Sequence, residues 1–526
     1  MYHVEPIIYR RAQKGQVPLI DTQDGNYLSH LLYEAGKREG MPKVSIGVLG
    51  YRHIDDTKRC VESILRFVGD VDYELILLDN GSQDNNETLD YFQSVPTMRK
   101  KIIQVEEPLG RTYGIFIGLR LMYEYADGDI FVYMANDHIM AENTLQNMIA
   151  CLDSSPDIGM VTPMSSNVWM LQDPGLQYSN FDEMFAAAKE FNRRSDPRKW
   201  QERIEVSMVM SAMKREVLTQ CGFFGFGAGE SDLCQRIQQA GYKVLLLGDT
   251  WSCHNHDYRA KESHGWIDNT ETGKKTLENL QRLSTAKVGG LEQFGERMVF
   301  EHKLISLLEK PITKTPKILA INVTAGQPLM DVRNKLREYS IFNSKSTAFC
   351  TNCKYYTYLS TAADQVYCDR IQFLSEDLEG QRFDIIILGE YINLFPDPGH
   401  LMKTLMNLLK PNGQLLFKLK NSVDTRVFWS VLGNPVPAES KKMIVLTLED
   451  IKNLAEKYGA CNLKVSQVLG NYPPETIKTV GEILANTKAV KDVQAALQNI
   501  LTTEYLFCVQ VSLKNNDLGK KKNIRK

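Results

Sequence analysis

From Val44 onward, apolar residues gather in short runs separated by amphipathic stretches. "VSIGVLGY" is β-rich and ends in a glycine turn, and "TKRCVESILRFV" then sets Cys60, Ile64, Leu65 and Val68 on one helical face. "YELILLDNGS" predicts a second strand that stops at Asp79 in a turn-forming cluster. "IIQVEE" and "DIFVYMANDH" follow as strands, and "GYKVLLLGD" comes after the glycine-rich "GFGAGESDLCQR". Strands alternating with helices predict an α/β fold with a mostly parallel sheet covered on both faces. Ligands bind such sheets beyond the carboxyl ends of the strands, where Asp79, Asp137 and the run after Asp249 gather.

The pattern changes between Ser263 and Pro311, where "TLENLQRLSTAK" and "RMVFEHKLISLLEK" are charged and helical in period, as in a connector. A second alternating series opens at Lys317 with "KILAINV", "FDIIILGE", "GQLLFKLK" and finally "YLFCVQVSL". The helical "PGHLMKTLMNLLKPNG" between them closes on a proline and glycine stop. The division expected is an N-terminal extension at 1–41, a first domain at 42–262, a helical connector at 263–313, a second domain at 314–515 and a basic tail at 516–526. A length of 526 residues agrees with two domains.

Composition narrows the function classes. The chain is 43% hydrophobic and 24% charged, which is globular, and 62 Lys and Arg against 64 Asp and Glu leave a net charge of −2. No charge excess points to nucleic acid or to an acidic surface. "MYHVEPIIYRRAQKGQ" lacks the apolar core and cleavage site of a signal peptide, and no apolar run is long enough for a membrane span. Ten cysteines, mostly in apolar runs, suit reduced thiols in a cytoplasmic protein. Cys350, Cys353 and Cys368 lack a second CxxC or a histidine pair, so they are read as buried or loop thiols and not as a zinc site.

The first series carries the candidate chemistry. A nucleotide-diphosphate ligand brings adjacent negative charges and a divalent cation with oxygen ligands. "YMANDHIM" offers Asn136, Asp137 and His138 just past a strand, either as ligands of such a cation or as helix-capping polar groups. Asp79 is equally a cap or an acceptor for a base or ribose. "EPLGRTYGIFIGLR" spaces Gly110, Gly114 and Gly118 four apart, for close packing or close approach to a ligand, with Arg111 placed to meet a phosphate. "WSCHNHDY" adds His254 and His256, of which one suffices as a metal ligand.

The order of these pieces resembles the family 2 glycosyltransferases, inverting GT-A enzymes that use nucleotide sugars, from about Pro42 to Asp257. "VSIGVLGYR" stands at their first strand and turn, which implies a role for Tyr51. "ILLDNGSQD" is similar to their nucleotide-binding segment and implies Asp79 and Ser82. "MANDH" stands at their DXD position, and "WSCHNH" at their late metal-binding histidine. The resemblance implies nucleotide-sugar binding by Tyr51, Asp79, Ser82, Gly110, Arg111, Asn136 and Asp137. It implies a Mn2+ or Mg2+ ion on Asp137 with His138, His254 or His256. Ala135 replaces the first DXD aspartate. "GAGESDLCQRIQQAGYKVLLLGD" stands at the family's acidic motif, with Gly229-Glu230 in place of Glu-Asp.

That motif places two acids on the seam between a glycine-rich turn and a helix. An acceptor hydroxyl needs a carboxylate to take its proton during attack, and Glu230 is the expected base, with Asp232 capping the helix or orienting the acceptor. The bland alternative is that both acids only stabilise the helix start, by about 0.5–2 kcal/mol. Trp169, Trp200 and Arg203 lie between the motifs and are candidates for the acceptor side.

From Lys317 to Leu513 the chain resembles class I methyltransferases that use S-adenosylmethionine, most clearly over "FDIIILGEYINLFPDPGHLMKTLMNLLKPNGQLLFKLKN". Their cofactor loop becomes "INVTAGQP", with only Gly326 kept, and no ribose-binding acid stands in "STAFCTNCKYY". S-adenosylmethionine is therefore not expected, and this Rossmann-like half is read as a platform for acceptor binding or for a homo-oligomer. The partners expected are a nucleotide-sugar donor and a glycan or protein acceptor. The competing functions are a bifunctional glycosyl- and methyltransferase and a non-catalytic carbohydrate- or nucleotide-binding protein.

Overall fold

The computed structural model describes residues 3–9, 41–82, 84–97, 99–106, 111–222, 229–255, 282, 285–286, 288–424, 443–488 and 490–512, with side chains outside the description at 111–117. The chain forms two compact units, Met1–Met298 and Val299–Lys526. The basic tail and most of the N-terminal extension lie outside the described residues.

The first unit is built on a sheet of ten strands: β1 (Ile7–Tyr9), β2 (Val44–Gly50), β3 (Tyr73–Asp79), β4 (Lys100–Val105), β5 (Ile130–Ala135), β6 (His138–Ile139), β7 (Ile158–Ser165), β8 (Trp200–Glu202), β9 (Met210–Lys214) and β10 (Lys243–His254). Their order is β1-β4-β3-β2-β5-β9-β7-β10-β6, with β8 also on β10. β1 to β5 run parallel to one another, and β9 is antiparallel to both β5 and β7. Every residue of β2 is buried because helices cover both faces. Val44, Ile46 and Val48 on one face pack against Cys60, Val61 and Ile64 of helix Ile54–Phe67, each large side chain contributing about 1.5–3 kcal/mol. That helix starts with Asp55 and Asp56 in its first turn, where carboxylates offset the helix dipole. Helix Arg111–Glu124 lies on the other face, and a Cβ at Gly118 would run into the Leu49 side chain. Close packing is thus the role of that glycine.

The second unit carries seven strands: β11 (Lys317–Ile321), β12 (Lys345–Cys350), β13 (Gln365–Cys368), β14 (Phe383–Tyr391), β15 (Leu409–Lys420), β16 (Ala460–Leu469) and β17 (Thr502–Val511). Their order is β13-β12-β11-β14-β15-β17-β16. β17 enters antiparallel between β15 and β16, and the remaining pairs are parallel. The order reverses between β11 and β14, which makes their carboxyl ends the switch point where Rossmann-like folds place ligands. Phe417 and Phe507 stack at 4.8 Å across β15 and β17 and anchor this core.

Four boundaries differ from the sequence reading. Residues 7–9, expected in an extension, are the outermost strand, and Gln93 fixes the segment by donating to Val4 O at 2.7 Å and accepting from its N–H at 3.1 Å. The connector expected at 263–313 is divided at 298: Val288, Leu291 and Met298 are buried in the first unit, Leu304, Ile305 and Leu308 in the second. β10 does not stop at Asp249 but runs on to His254. Asp249 is buried within it and accepts from Trp200 Nε1 at 2.9 Å, so it is structural. Helix Pro398–Leu408 ends before the Pro-Asn-Gly turn, because Leu409 already pairs with Phe383 of β14.

Candidate functional site

Register brings the first group of residues together. Gly50 of β2 pairs with Asp79 of β3, and Leu49 pairs with Ala135 of β5, so Tyr51, Asp79 and Asn136-Asp137 share one edge of the sheet. The chain leaves β2 through two left-handed residues, Arg52 and His53 (φ 57° and 49°), a strained path of the kind functional loops hold. Arg52 N–H donates to Ser82 Oγ at 3.1 Å, and its guanidinium lies 5.0 Å over the Tyr51 ring. Asp79 is buried, and its Oδ1 accepts from both Ser82 N–H (3.0 Å) and Ser82 Oγ (2.6 Å). Burial pushes its carboxyl up and the Ser82 bonds pull it back. Oδ2 takes no hydrogen bond from the described residues.

Asn136 and Asp137 turn the chain from β5 into β6. Asn136 Nδ2 donates to Thr57 Oγ1 at 3.0 Å, and Asn255 N–H donates to Asp137 O at 2.8 Å. His254, at the end of β10, stands opposite Asp137 with 3.5 Å between Nε2 and Oδ1. Its Nδ1 faces Asn167 O at 3.3 Å. An imidazole nitrogen and a carboxylate oxygen facing each other at that distance can share a proton or a cation. His138 is placed differently: it is wholly buried, its Nε2 is 2.6 Å from Ser252 Oγ, and its ring stacks 6.0 Å from that of His254. Burial first, and then the neighbouring His254, push it down to about 3, so it is neutral and supports His254 from behind. Among the described residues no group of three His, Cys, Asp or Glu side chains could hold a metal ion.

The acids of the glycine-rich motif separate in role. Helix Gly229–Gln239 begins at this motif, with Glu230 and Asp232 in its first turn. Asp232 is tied down: Arg236 Nη2 donates to its Oδ2 at 2.8 Å and Arg236 Nε at 3.1 Å, while Nη1 reaches Gly222 O at 2.6 Å. That fixes the helix to the end of helix Arg215–Cys221. Glu230 is partly exposed, and its carboxyl is pushed up to about 7, by burial first and then by the charge of Glu205. Arg297 opposes that rise. Tyr133 of β5 is raised by burial first and then by Asp137, Cys60 and Glu230, so both acids lie within electrostatic reach of one buried hydroxyl.

Glu205, Gln293 and Arg297 escaped the sequence reading. Glu205 is buried and accepts from Ser231 Oγ and Gln293 Nε2, both at 2.6 Å, and its other oxygen pairs with Arg297. Of the acceptor-side candidates, Trp200 and Arg203 are buried in the core, whereas Trp169 is 59% exposed. Trp169 lies 6.4 Å from Phe294, which is 61% exposed. Its loop holds Asn167, Met170 and Leu171 in left-handed conformations (φ 54°, 64° and 56°). Gly110 and His256 lie outside the described residues, as does the Arg111 side chain at the start of its helix.

In the second unit, the switch point is bridged by one amide. Asn322 follows β11 with φ 49°; its Oδ1 accepts from Thr351 N–H at 2.9 Å, beyond β12, and its Nδ2 donates to Glu390 Oε2 at 2.9 Å on β14. Val323 and Ala325 are buried behind it, and a Cβ at Gly389 would run into the Asn322 backbone. Cys350 and Cys368 are register partners at the ends of β12 and β13, with Cys353 in the following turn, all as free thiols.

Residues 45–222 match the profile of "Glycosyl transferase family 2", and residues 327–465 match that of "Methyltransferase domain". Similar solved structures include the mannosyltransferase PcManGT from Pyrobaculum calidifontis in complex with GDP-Man and Mn2+ (17% identity, 51% of this chain and 81% of that one, TM-score 0.33). Another is GalNAc-T7 with UDP, GalNAc and Mn2+ (15% identity, 47% and 51%, TM-score 0.35). A third is a SAM-dependent methyltransferase from Archaeoglobus fulgidus (13% identity, 37% and 86%, TM-score 0.26). The chain spans 51% of the length of the GalNAc-T7 structure. No curated protein matches it in sequence. The chain carries a domain of the family 2 glycosyl transferases, followed by a domain of the methyltransferase type.

Proposed function

We propose that the first unit is an inverting glycosyltransferase that moves a sugar from a nucleotide-diphosphate sugar to an acceptor hydroxyl, with Glu230 as general base. The observation that carries the reading is Glu230 itself: a carboxyl in the first turn of helix Gly229–Gln239, pushed up to about 7 by burial first and within electrostatic reach of Tyr133 on β5. A base titrating near neutral pH both exists as carboxylate and holds the proton it takes. Asp79, through its unbonded Oδ2, accepts from the base or ribose of the donor, with Tyr51, Ser82 and Asn136 framing that edge. Gly110 and Arg111 are assigned to the diphosphate.

Asp137 and His254 fit a divalent cation, Mn2+ or Mg2+, since their facing oxygen and nitrogen supply two ligands. When bound, that ion would offset the charge that develops on the departing diphosphate. His138 stays outside this ligand set. Glu230 takes the proton of the acceptor hydroxyl as its oxygen attacks the anomeric carbon on the side opposite the diphosphate. The carbon–oxygen bond to the diphosphate breaks, its electron pair leaves with the nucleoside diphosphate, and the configuration inverts. The exposed Trp169–Phe294 pair is assigned to the acceptor, a glycan or a sugar-accepting protein. Free cysteines, and the absence among the described residues of a helix able to cross a membrane, support a cytoplasmic setting.

Glu230→Gln tests the reading. Transfer from a panel of nucleotide sugars, followed as released nucleoside diphosphate, is expected to fall by ~10²–10⁴-fold with donor-induced stabilisation retained. Wild-type turnover in that variant moves the base elsewhere.

A second reading, a bifunctional enzyme with methyl transfer in the second unit, is favoured by the methyltransferase profile. The strand ends do not fit S-adenosylmethionine. The Asn322 amide bridges Thr351, after β12, and Glu390 of β14, and Thr324 takes a left-handed conformation (φ 50°) where glycine would give a ligand room. The ends of β11 and β12 offer no carboxylate for ribose. We therefore assign this unit a platform role.

A further inference from the structure

The stretch that closes the first unit, Val288 to Met298, reaches the catalytic helix. Arg297 is 3% exposed, and its guanidinium pairs with Glu205, which is 1% exposed. Gln293, four residues earlier, donates to the other Glu205 oxygen at 2.6 Å, and Ser231 Oγ donates to that same oxygen at 2.6 Å. Ser231 adjoins Glu230, so Glu205 holds the first turn of the helix from outside while Arg297 and Gln293 hold Glu205. A buried carboxylate with one cation and two neutral donors satisfies most of its acceptor capacity and has no freedom to swing.

We propose that Glu205 and Arg297 are positioning residues for the base, fixing the direction of Glu230 through Ser231 and setting the charge it faces. The proposal rests on the assignment of Glu230 as base and names the machinery that tunes it. Among the described residues the groups that interact electrostatically with Glu230 are Glu205 from the segment after β8, Arg297 from the closing segment, Tyr133 from β5 and Cys234 from its own helix. Burial raises the tyrosine and the cysteine, which leaves both neutral, so among the described residues the charges acting on Glu230 are those of the pair. Glu205 drives the Glu230 carboxyl towards holding its proton and Arg297 drives it towards losing it. The two charges act in opposite senses, so each can be removed to opposite effect.

The test is a pH titration of Glu230 in the full chain, read by carbon NMR of labelled glutamate carboxyls and assigned by the signal that vanishes in Glu230→Gln. Glu205→Gln keeps the acceptor for Ser231 and removes the charge; the Glu230 midpoint should fall by about one pH unit or more. Arg297→Gln should move it the other way, and Arg297→Lys should bring it back towards wild type. Where a single variant does not fold, Glu205→Gln/Arg297→Gln removes both charges with similar volume and should lower the midpoint by less than Glu205→Gln alone, because Glu205 is the larger influence. A midpoint unmoved in folded Glu205→Gln overturns the proposal, and so does a double variant whose midpoint falls as far as in Glu205→Gln alone. The titration needs no donor, so a shifted midpoint together with undiminished transfer by Glu230→Gln would sink the base assignment and leave the tuning intact. The acidic limb of the pH–rate profile should follow the same shifts, which a purely structural role would not produce.

Discussion

Replacing Glu230 by glutamine should make the first unit inactive and, above neutral pH, more stable. The folded protein holds this carboxyl's proton more tightly than the unfolded chain does, with a value of about 7 against an ordinary 4.5. A carboxyl raised in this way favours the folded state at low pH and loses that advantage as pH climbs through the interval between the two values. At 1.36 kcal/mol per pKa unit the ionised side chain costs roughly 3 kcal/mol, and its partial exposure brings this to about 2 kcal/mol. Glutamine keeps the shape and never ionises. The stability difference between variant and wild type should therefore be small near pH 5 and grow by about 2 kcal/mol towards pH 8. For a unit of this size that corresponds to roughly 4–8 °C in the midpoint of its thermal transition. Calorimetric scans of both proteins at the two pH values decide it, with the second unit's transition as an internal control. An equal difference at both pH values, or a variant that loses ground as pH rises, would refute the view that the site strains this carboxylate.

Three other outcomes follow from the geometry. Asp137→Ala should abolish the part of nucleotide-sugar binding that depends on manganese, and His254→Ala should weaken it less; binding indifferent to chelator would argue against the pair as a metal site. Trp169→Ala should raise the acceptor KM by about tenfold, while hydrolysis of the donor without acceptor stays at the wild-type rate; an unchanged KM removes the ring from the acceptor site. Calorimetric titration of the full chain with S-adenosylmethionine should give no heat of binding, and micromolar binding would restore the bifunctional reading.

The sequence exposes most of the strand framework and the polar tips of β3 and β5, because buried parallel strands are uninterrupted apolar runs that stop at polar residues. β7 and β9 pass unnoticed because "IGMVTPMS" and "MSAMK" mix proline, serine and methionine with neither alternation nor a solid apolar run. His138 and His254 are equivalent as letters after a strand; only the pairing of β6 with β10 turns one inward to Ser252 and the other towards Asp137. The Glu205–Arg297 pair was illegible for a different reason. Its members stand 92 residues apart, one in an unremarkable stretch and one in a segment whose charge suggested a solvated connector. Charge along a chain reads as exposure until a partner is found, and partners at that range are set by the fold.

The outermost strand of the first unit carries one more consequence. β4 is a largely buried strand, "KKIIQV", and among the described residues its outer row of backbone donors and acceptors is covered by the three residues of β1. A strand left bare on one side is a template for pairing with another chain. Removing the first nine residues, or breaking the Gln93–Val4 clasp, would leave catalysis its side chains and yet turn a closed sheet into an adhesive one. For anyone trimming or tagging the protein, those residues decide whether it stays in solution.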